Sequence, residues 1–354
     1  MEFGMLHLFE NPIGKTEREI IKEQMELMLA AESLGFDSTW PAEHHFSEYG
    51  FCGSPQLTLA AITAQTSKIR LCTGIVVLPF HHPLRVAEDF AFLDQLSDGR
   101  ITLGLGRGYQ PIEYRGFGVD QTRSRDIFAE GVEIIQQSWT KERVNFQGEF
   151  YQIEDLEVRP HPYQKPTPPM YMAVLSPDSF RLAGRTGMNL MMSAAFGATP
   201  EQAQTGIIEY KKGREEVGLD PDGGKIACLL MLYVADSVEK AHKDFKGPVE
   251  WYYRTISKYV ADKDKSVKGY EAYSDTKALA SAITFEDLLG GTSMVCGDVE
   301  YCTERLTQLA DEYGFNELLI WTRLGGMETS QVLRSMELLS DQVMPGVRKY
   351  QEGK

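Results

Sequence analysis

Apolar positions along this chain switch between runs that suit a buried strand and the wider spacing of an amphipathic helix. Met1 to Phe9 alternates as a strand, with Phe3, Met5, His7 and Phe9 on one side. Thr16-Glu17-Arg18-Glu19 is a capping-box pattern, and Ile21, Met25, Met28 and Leu29 follow at helical spacing until Gly35. Strand formers from Phe36 to Trp40 then stop at Pro41, which has no N–H to donate to a ladder. Further strands are predicted over Ile69–Val77, Ile101–Gly106, Met170–Leu175, Met188–Met192, Ile226–Val234 and Asn316–Thr322. The helices between them are predicted at about 55–66, from Pro83 to Gly99, at about 122–139, from Pro177 and at about 200–217. Later ones start near Ser237 and cover about 299–313 and 330–345. Eight strands, each followed by a helix, make an α/β chain whose expected form is a single (β/α)8 TIM barrel over residues 1–354.

Two pieces stand off this pattern. Val144 to Val158 alternates around Gln147-Gly148 as a small hairpin, and the five prolines in Arg159–Pro169 make a stiff connector after it. The stretch 261–297 is polar over Asp262–Lys268 and ends in Gly290-Gly291. So long an irregular piece after strand seven is expected to be a lid-like insertion or a disordered segment.

Composition narrows the function classes. The net charge of −15 argues against nucleic acid or an anionic membrane as partner, so an anionic ligand would need a local arginine cluster. No apolar run of about 18 residues suggests a membrane span, and no basic region followed by an apolar stretch suggests a signal peptide. The five cysteines are odd in number and lack C-x-x-C spacing, which fits buried or free thiols in a reducing cytoplasm.

In a barrel of this kind the chemistry belongs just beyond the C-terminal ends of the strands. There the chain offers Glu43-His44-His45 after strand two, and Gly74-Ile75 with His81-His82 at strand three. Gly106-Arg107-Gly108-Tyr109 follows strand four, Ser176 and Ser179 follow strand five, and Ser193 follows strand six. Serine hydroxyls and helix-start N–H groups joined by Arg107 would make a phosphate site, and Arg125 at the next helix start could reach the same anion. Gly104-x-Gly106-x-Gly108 is not a dinucleotide loop, because it lacks G-x-G-x-x-G spacing and does not follow a first strand. A metal reading of the histidine pairs lacks a second carboxylate-rich motif to complete a shell, so none is expected. Rim packing for the histidines, a surface ion pair for Arg107 and mere capping for the serines are the bland alternatives.

Taken together, these blocks resemble the bacterial luciferase-like flavin-dependent monooxygenases. The resemblance covers nearly the whole chain and rests on Gly35-Phe36-Asp37, Glu43-His44-His45-Phe46, Val77-Leu78-Pro79, His82-Pro83 and Leu93–Arg100. Gly106-Arg107-Gly108, Phe117-Gly118 and Val343-Met344-Pro345 extend it. It implies a two-component enzyme: a separate reductase supplies FMNH2, O2 adds at the flavin C4a to give a (hydro)peroxide, and a small apolar substrate is oxygenated. It also implies a homodimer through barrel helices and a mobile loop where 261–297 lies.

Residue by residue, the resemblance makes His44 the catalytic imidazole beside the flavin ring. It makes Gly74-Ile75 a cis peptide supporting that ring, and Arg107, Arg125, Ser176 and Ser179 the holders of the flavin phosphate. Gly106, Tyr109, Leu175 and Ser193 fall in the same cofactor-binding blocks. Luciferase α subunits carry cysteine where this chain has Gly106, glutamate where it has Leu175 and an aromatic where it has Ala194, which implies a differently shaped pocket. Phe46, Tyr109, Met192, Phe196 and Trp251 are the candidate lining for an apolar substrate. Within the same superfamily, hydride transfer with the deazaflavin F420 is the alternative chemistry. A non-catalytic flavin-binding protein like the luciferase β subunit is the other.

Overall fold

The computed structural model of the protein describes residues 1–12, 14–261, 267, 270, 277, 280 and 282–353. Among these, parallel strands close into a barrel: β1 (Glu2–His7), β2 (Ser38–Pro41), β3 (Arg70–Cys72), β4 (Val76–Val77) and β5 (Ile101–Gly106). After the antiparallel hairpin β6 (Val144–Gln147) and β7 (Gln152–Leu156) come β8 (Met170–Ala173), β9 (Asn189–Ser193), β10 (Ile226–Val234), β11 (Met294–Gly297) and β12 (Glu317–Trp321). Closure lies in the register. β1 pairs with β2 and with β12, and β10 pairs with both β12 and β9. The helices on the outside include α1 (Glu17–Ser33), α2 (Pro55–Thr63), α3 (Pro83–Leu96), α4 (Pro111–Phe117) and α5 (Ser124–Thr140). They continue with α6 (Pro177–Arg185), α7 (Pro200–Glu216) and α8 (Val238–Tyr259).

The strands read so clearly because a stave of a parallel barrel is covered on both faces; β10 is buried from Ala227 to Val234. The expected capping box at Thr16 is present, with Thr16 Oγ1 accepting from the Glu19 N–H. Three departures from the sequence reading have local causes. The third strand is interrupted at Thr73–Ile75, where the peptide bond Gly74-Ile75 is cis. Helix α4 was not expected; Pro111 starts it and Gly118, with φ 68°, stops it after seven residues. The insertion 261–297 is not irregular throughout: Phe285–Leu288 is a helical turn, and β11 lies along the C-terminal half of β10, beyond the reach of β9. The expectation of a mobile loop falls mainly on 262–281, most of which lies outside the described residues.

Glycine is required where β5 passes the interrupted stave. A Cβ on Gly104 would stand 2.0 Å from the backbone oxygen of Thr73, and one on Gly106 would stand 2.1 Å from Ile75 Cδ1. Gly104→Ala is therefore expected to lower stability by about 1–3 kcal/mol, as overpacking of a rigid wall does. Urea denaturation measures it, and an unchanged midpoint would mean that the two strands part easily.

Candidate active site

The strand ends open on a cavity of about 440 Å³, inside the size range of sites for small ligands and cofactors. Of the residues expected from sequence, His44, Gly74, Ile75, Arg107, Tyr109, Leu175, Ser176, Ser179, Met192, Ser193 and Phe196 line it. Leu6, Leu8, Ala42, Met191, Leu229 and Trp321 complete much of its apolar wall.

His44 is placed by backbone on both sides of the loop after β2. Glu43 N–H donates to Ile75 O at 3.2 Å and His44 N–H to Cys52 O at 3.2 Å. Its ring lies edge-on to Tyr49 at 4.8 Å and to Tyr109 at 5.9 Å between centroids. Behind the ring, His44 Nδ1 is 3.0 Å from Glu113 Oε1 on α4, a fully buried carboxylate that also accepts the His45 N–H at 2.9 Å. An Nδ1–H donated to Glu113 leaves His44 Nε2 as the proton acceptor. Gln110 Nε2 stands 3.3 Å from the same Nδ1. Neither Glu113 nor Gln110 was expected from sequence; the available signal was an acid in the first turn of a Pro-initiated helix just past a strand end.

Glu43 faces elsewhere. Its Oε1 takes His45 Nε2 at 2.9 Å and His81 Nε2 at 2.8 Å, while Oε2 accepts the Val77 N–H at 2.9 Å. Burial alone would raise this carboxyl, but the hydrogen bonds from His45, His81 and Val77 hold it below its usual range. Glu43 thus clamps the rim around His44. No group of three or more metal-ligating side chains arises among the described residues.

On the same cavity lining, the Arg107 guanidinium lies over the Tyr270 ring, 4.7 Å from its centroid. Tyr270 is held by Tyr114 Oη at 3.0 Å and Ser124 Oγ at 2.9 Å. Ser176 caps α6, with the Ser179 hydroxyl accepting from the Leu175 and Ser176 N–H groups, each at 3.1 Å. That hydroxyl also donates to Ser176 O at 2.6 Å, so its proton is already committed to the cap. Ser193 Oγ is buried and without a hydrogen-bond partner among the described residues.

Three expected placements need correction, and a fourth needs closer description. Phe46 is 55% exposed and does not line the cavity; its backbone turns through φ 60° and its ring packs on His45 and Phe117. Trp251 is likewise off the lining, because α8 turns its neighbours Tyr252 and Tyr253 toward a side chamber of about 120 Å³. Gly106 opens no space, since Ile75 Cδ1 occupies the place where a side chain there would stand. Arg125 pairs with Asp178 at 3.2 Å and sits on an adjoining hollow of about 350 Å³, which shares only Arg107 and Ser179 with the main cavity.

These residues fit a long ligand with a flat ring and an anionic tail. The tail would meet Arg107 and the start of α6. The ring would lie against Gly74, Ile75 and Ala173, within reach of the unpartnered Ser193 hydroxyl. Glu113→Gln removes a charge-assisted hydrogen bond to His44, worth about 1.5–3 kcal/mol. Turnover is expected to fall about 10–150-fold with ligand affinity unchanged, as steady-state kinetics beside a binding titration would show. Equal turnover would mean that Glu113 only packs.

Comparison with known proteins points the same way. The family model described as luciferase-like monooxygenase matches residues 1–317. An alkanal monooxygenase α chain from the Kryptophanaron alfredi symbiont is 26% identical over 99% of this chain and 99% of its own. The oxygenase component of the flavin-dependent trigonelline monooxygenase of Acinetobacter baylyi is 26% identical over 98% of this chain and 95% of its own. Among solved structures, monooxygenase RslO1 from Streptomyces bottropensis superposes with TM-score 0.84 at 26% identity, over 98% and 99% of the two chains. The oxygenating constituent of 3,6-diketocamphane monooxygenase from Pseudomonas putida, in complex with FMN, has TM-score 0.83 at 21% identity, over 98% of each chain. An F420-dependent secondary alcohol dehydrogenase shares the fold, with TM-score 0.77 at 20% identity over 98% and 99%.

Proposed function

This chain belongs to the luciferase-like monooxygenase family, and from that premise we propose that it is the oxygenase component of a two-component system using reduced FMN. The observation that carries the reading is the pairing, in one cavity, of a carboxylate-backed imidazole with a guanidinium at a helix start. Reduced FMN, when bound, supplies the activation of O2. Arg107, beside the start of α6, would hold the anionic tail, and Gly74-Ile75 would support the ring. His44 Nε2 takes or returns a proton at the reacting oxygen, with Glu113 keeping the imidazole oriented. Leu6, Leu8, Met191, Leu229 and Trp321 exclude water, which protects reactive oxygen from loss as hydrogen peroxide.

The apolar wall favours a small aldehyde, terpene, ketone or aromatic substrate over a sugar or nucleotide. A separate flavin reductase delivers FMNH2. Five buried, unpaired thiols fit a reducing cytoplasm, and pairing through barrel helices would give a homodimer. No described helix is long and apolar enough to cross a membrane. The test is oxygen uptake with FMNH2 and a substrate panel, run against the same panel with reduced F420. Product formation tied to O2 consumption and FMNH2 supports the reading. Hydride transfer with F420 and no O2 consumption overturns it.

A further inference from the structure

Beyond the reaction site the chain buries other acids, Glu10 among them. Glu10, past the end of β1, is fully buried, and its Oε2 accepts the Gly325 N–H at 2.7 Å. Its Oε1 has no hydrogen-bond partner among the described residues. Arg323, after β12, gives Nη2 to Glu23 Oε2 on α1 at 2.9 Å, and Glu23 also takes Lys15 at 2.7 Å. Arg323 Nε and Nη1 have no hydrogen-bond partners among the described residues. His7 Nδ1 meets Gln24 Oε1 at 3.1 Å, while His7 Nε2 and Gln24 Nε2 have no partner among the described residues. Tyr252 on α8 is also fully buried, one turn after Pro248, which packs against the Gly325 that holds Glu10, and its hydroxyl has no hydrogen-bond partner among the described residues. Buried polar atoms gathered in this way are normally satisfied by ordered water.

From Tyr252 the hydroxyls lead toward the catalytic cavity. The Tyr252 ring is 5.8 Å from that of Tyr49, and Tyr49 Oη accepts from Tyr109 Oη at 3.0 Å. Tyr109 lines the cavity beside His44. The Asn11 N–H donates to Glu48 O at 3.1 Å, so backbone fixes the Glu10 end of this path against the Tyr49 end.

We propose that Glu10 is a proton reservoir for the catalytic cavity and that Tyr252, Tyr49 and Tyr109 carry the proton between them. Glu10 gives its O–H proton through bound water to the Tyr252 oxygen, and each hydroxyl hands its own proton onward. Tyr109 then protonates an oxyanion formed in the cavity. One O–H bond breaks at Glu10, one forms at the oxyanion, and nothing is oxidised or reduced. The carboxylate left behind is held by the Gly325 N–H and the Arg323 guanidinium until solvent returns a proton.

Burial pushes the Glu10 carboxyl up to about 8, against the pull of Arg323 and the Gly325 N–H, so it holds its proton at neutral pH. Burial also lowers His7 to about 4, which keeps that imidazole neutral, and raises the Tyr49 and Tyr252 hydroxyls well above their usual range. Arg323 with its partner Glu23, and Lys15 beyond it, are the charged groups on this side. The folded state thus binds a proton that the unfolded chain releases, and stability attributable to Glu10 falls as pH rises.

The flavin reading enters only through the identity of the acceptor, so the first arms of the test use the protein without cofactor. Infrared spectra of the wild type are expected to hold a protonated-carboxyl band at pH 6–7 that titrates near about pH 8 and is missing in Glu10→Gln. The melting temperature of Glu10→Gln is expected to gain on the wild type from about pH 5 to pH 8 and then level off. Tyr49→Phe should move the Glu10 band. With a turnover assay, Glu10→Gln and Tyr252→Phe should each slow the reaction at least about tenfold, and the double variant should be no slower than either. A Glu10 ionised at pH 6, a band indifferent to Tyr49→Phe, or full turnover in Tyr252→Phe would each overturn the proposal. Failure of flavin turnover in the wild type, with the band still present and still moved by Tyr49→Phe, would count against the flavin reading alone.

Discussion

His44→Ala is expected to cut substrate oxygenation by about 10²–10⁴-fold while leaving flavin affinity nearly unchanged, because positioned acid–base groups contribute on that order. The geometry explains the separation of effects. His44 lies edge-on to Tyr49 and Tyr109, whereas the proposed holders of the anion are Arg107 and the start of α6. Glu113 would keep its bond to the His45 N–H in the variant, so the loop should stay in place. Reduced-flavin turnover and a flavin titration on the same preparation make the measurement. Wild-type turnover would remove the imidazole from the chemistry. A parallel loss of affinity would make it a binding group.

Arg107→Ala should do the reverse. A charge-assisted hydrogen bond to a buried anion is worth about 1.5–3 kcal/mol, or about 10–150-fold in dissociation constant. The loss should be largest at low salt, since the overall charge of −15 otherwise repels an anionic tail. Arg107→Lys should recover part of it, for a lysine restores charge without the planar fork or the stacking on Tyr270. Fluorescence titration with FMN against riboflavin, which lacks the phosphate, separates the tail from the ring. The variant should lose affinity for FMN far more than for riboflavin, and equal losses would place Arg107 elsewhere than at the phosphate.

The barrel was legible because its staves are buried on both faces, so β1, β5, β9, β10 and β12 appear as apolar runs ended by Gly, Pro or polar residues. Short pieces were not. Val76–Val77 has only two residues, and Met294–Gly297 is a strand only because β10 extends beyond β9 and offers it an edge. The cavity lining was legible where it follows strand ends, as at His44, Arg107, Ser176 and Ser193. It was not legible where side-chain direction decides. Phe46 follows the histidines in sequence but turns outward through a left-handed backbone, and Trp251 misses the cavity wall by the phase of one helix. Partners brought together only by folding leave no spacing signal. Glu113 lies 69 residues from His44, and Gly325 lies 315 from Glu10.

A crystal structure of the protein soaked with FMN tests most directly whether one cavity joins the imidazole to the guanidinium through a single flavin. The expected result has the ring against Gly74-Ile75, its reactive edge toward His44 Nε2 and the phosphate on Arg107. A flavin seated outside this cavity, or one whose phosphate lies at the His44 end, would contradict it.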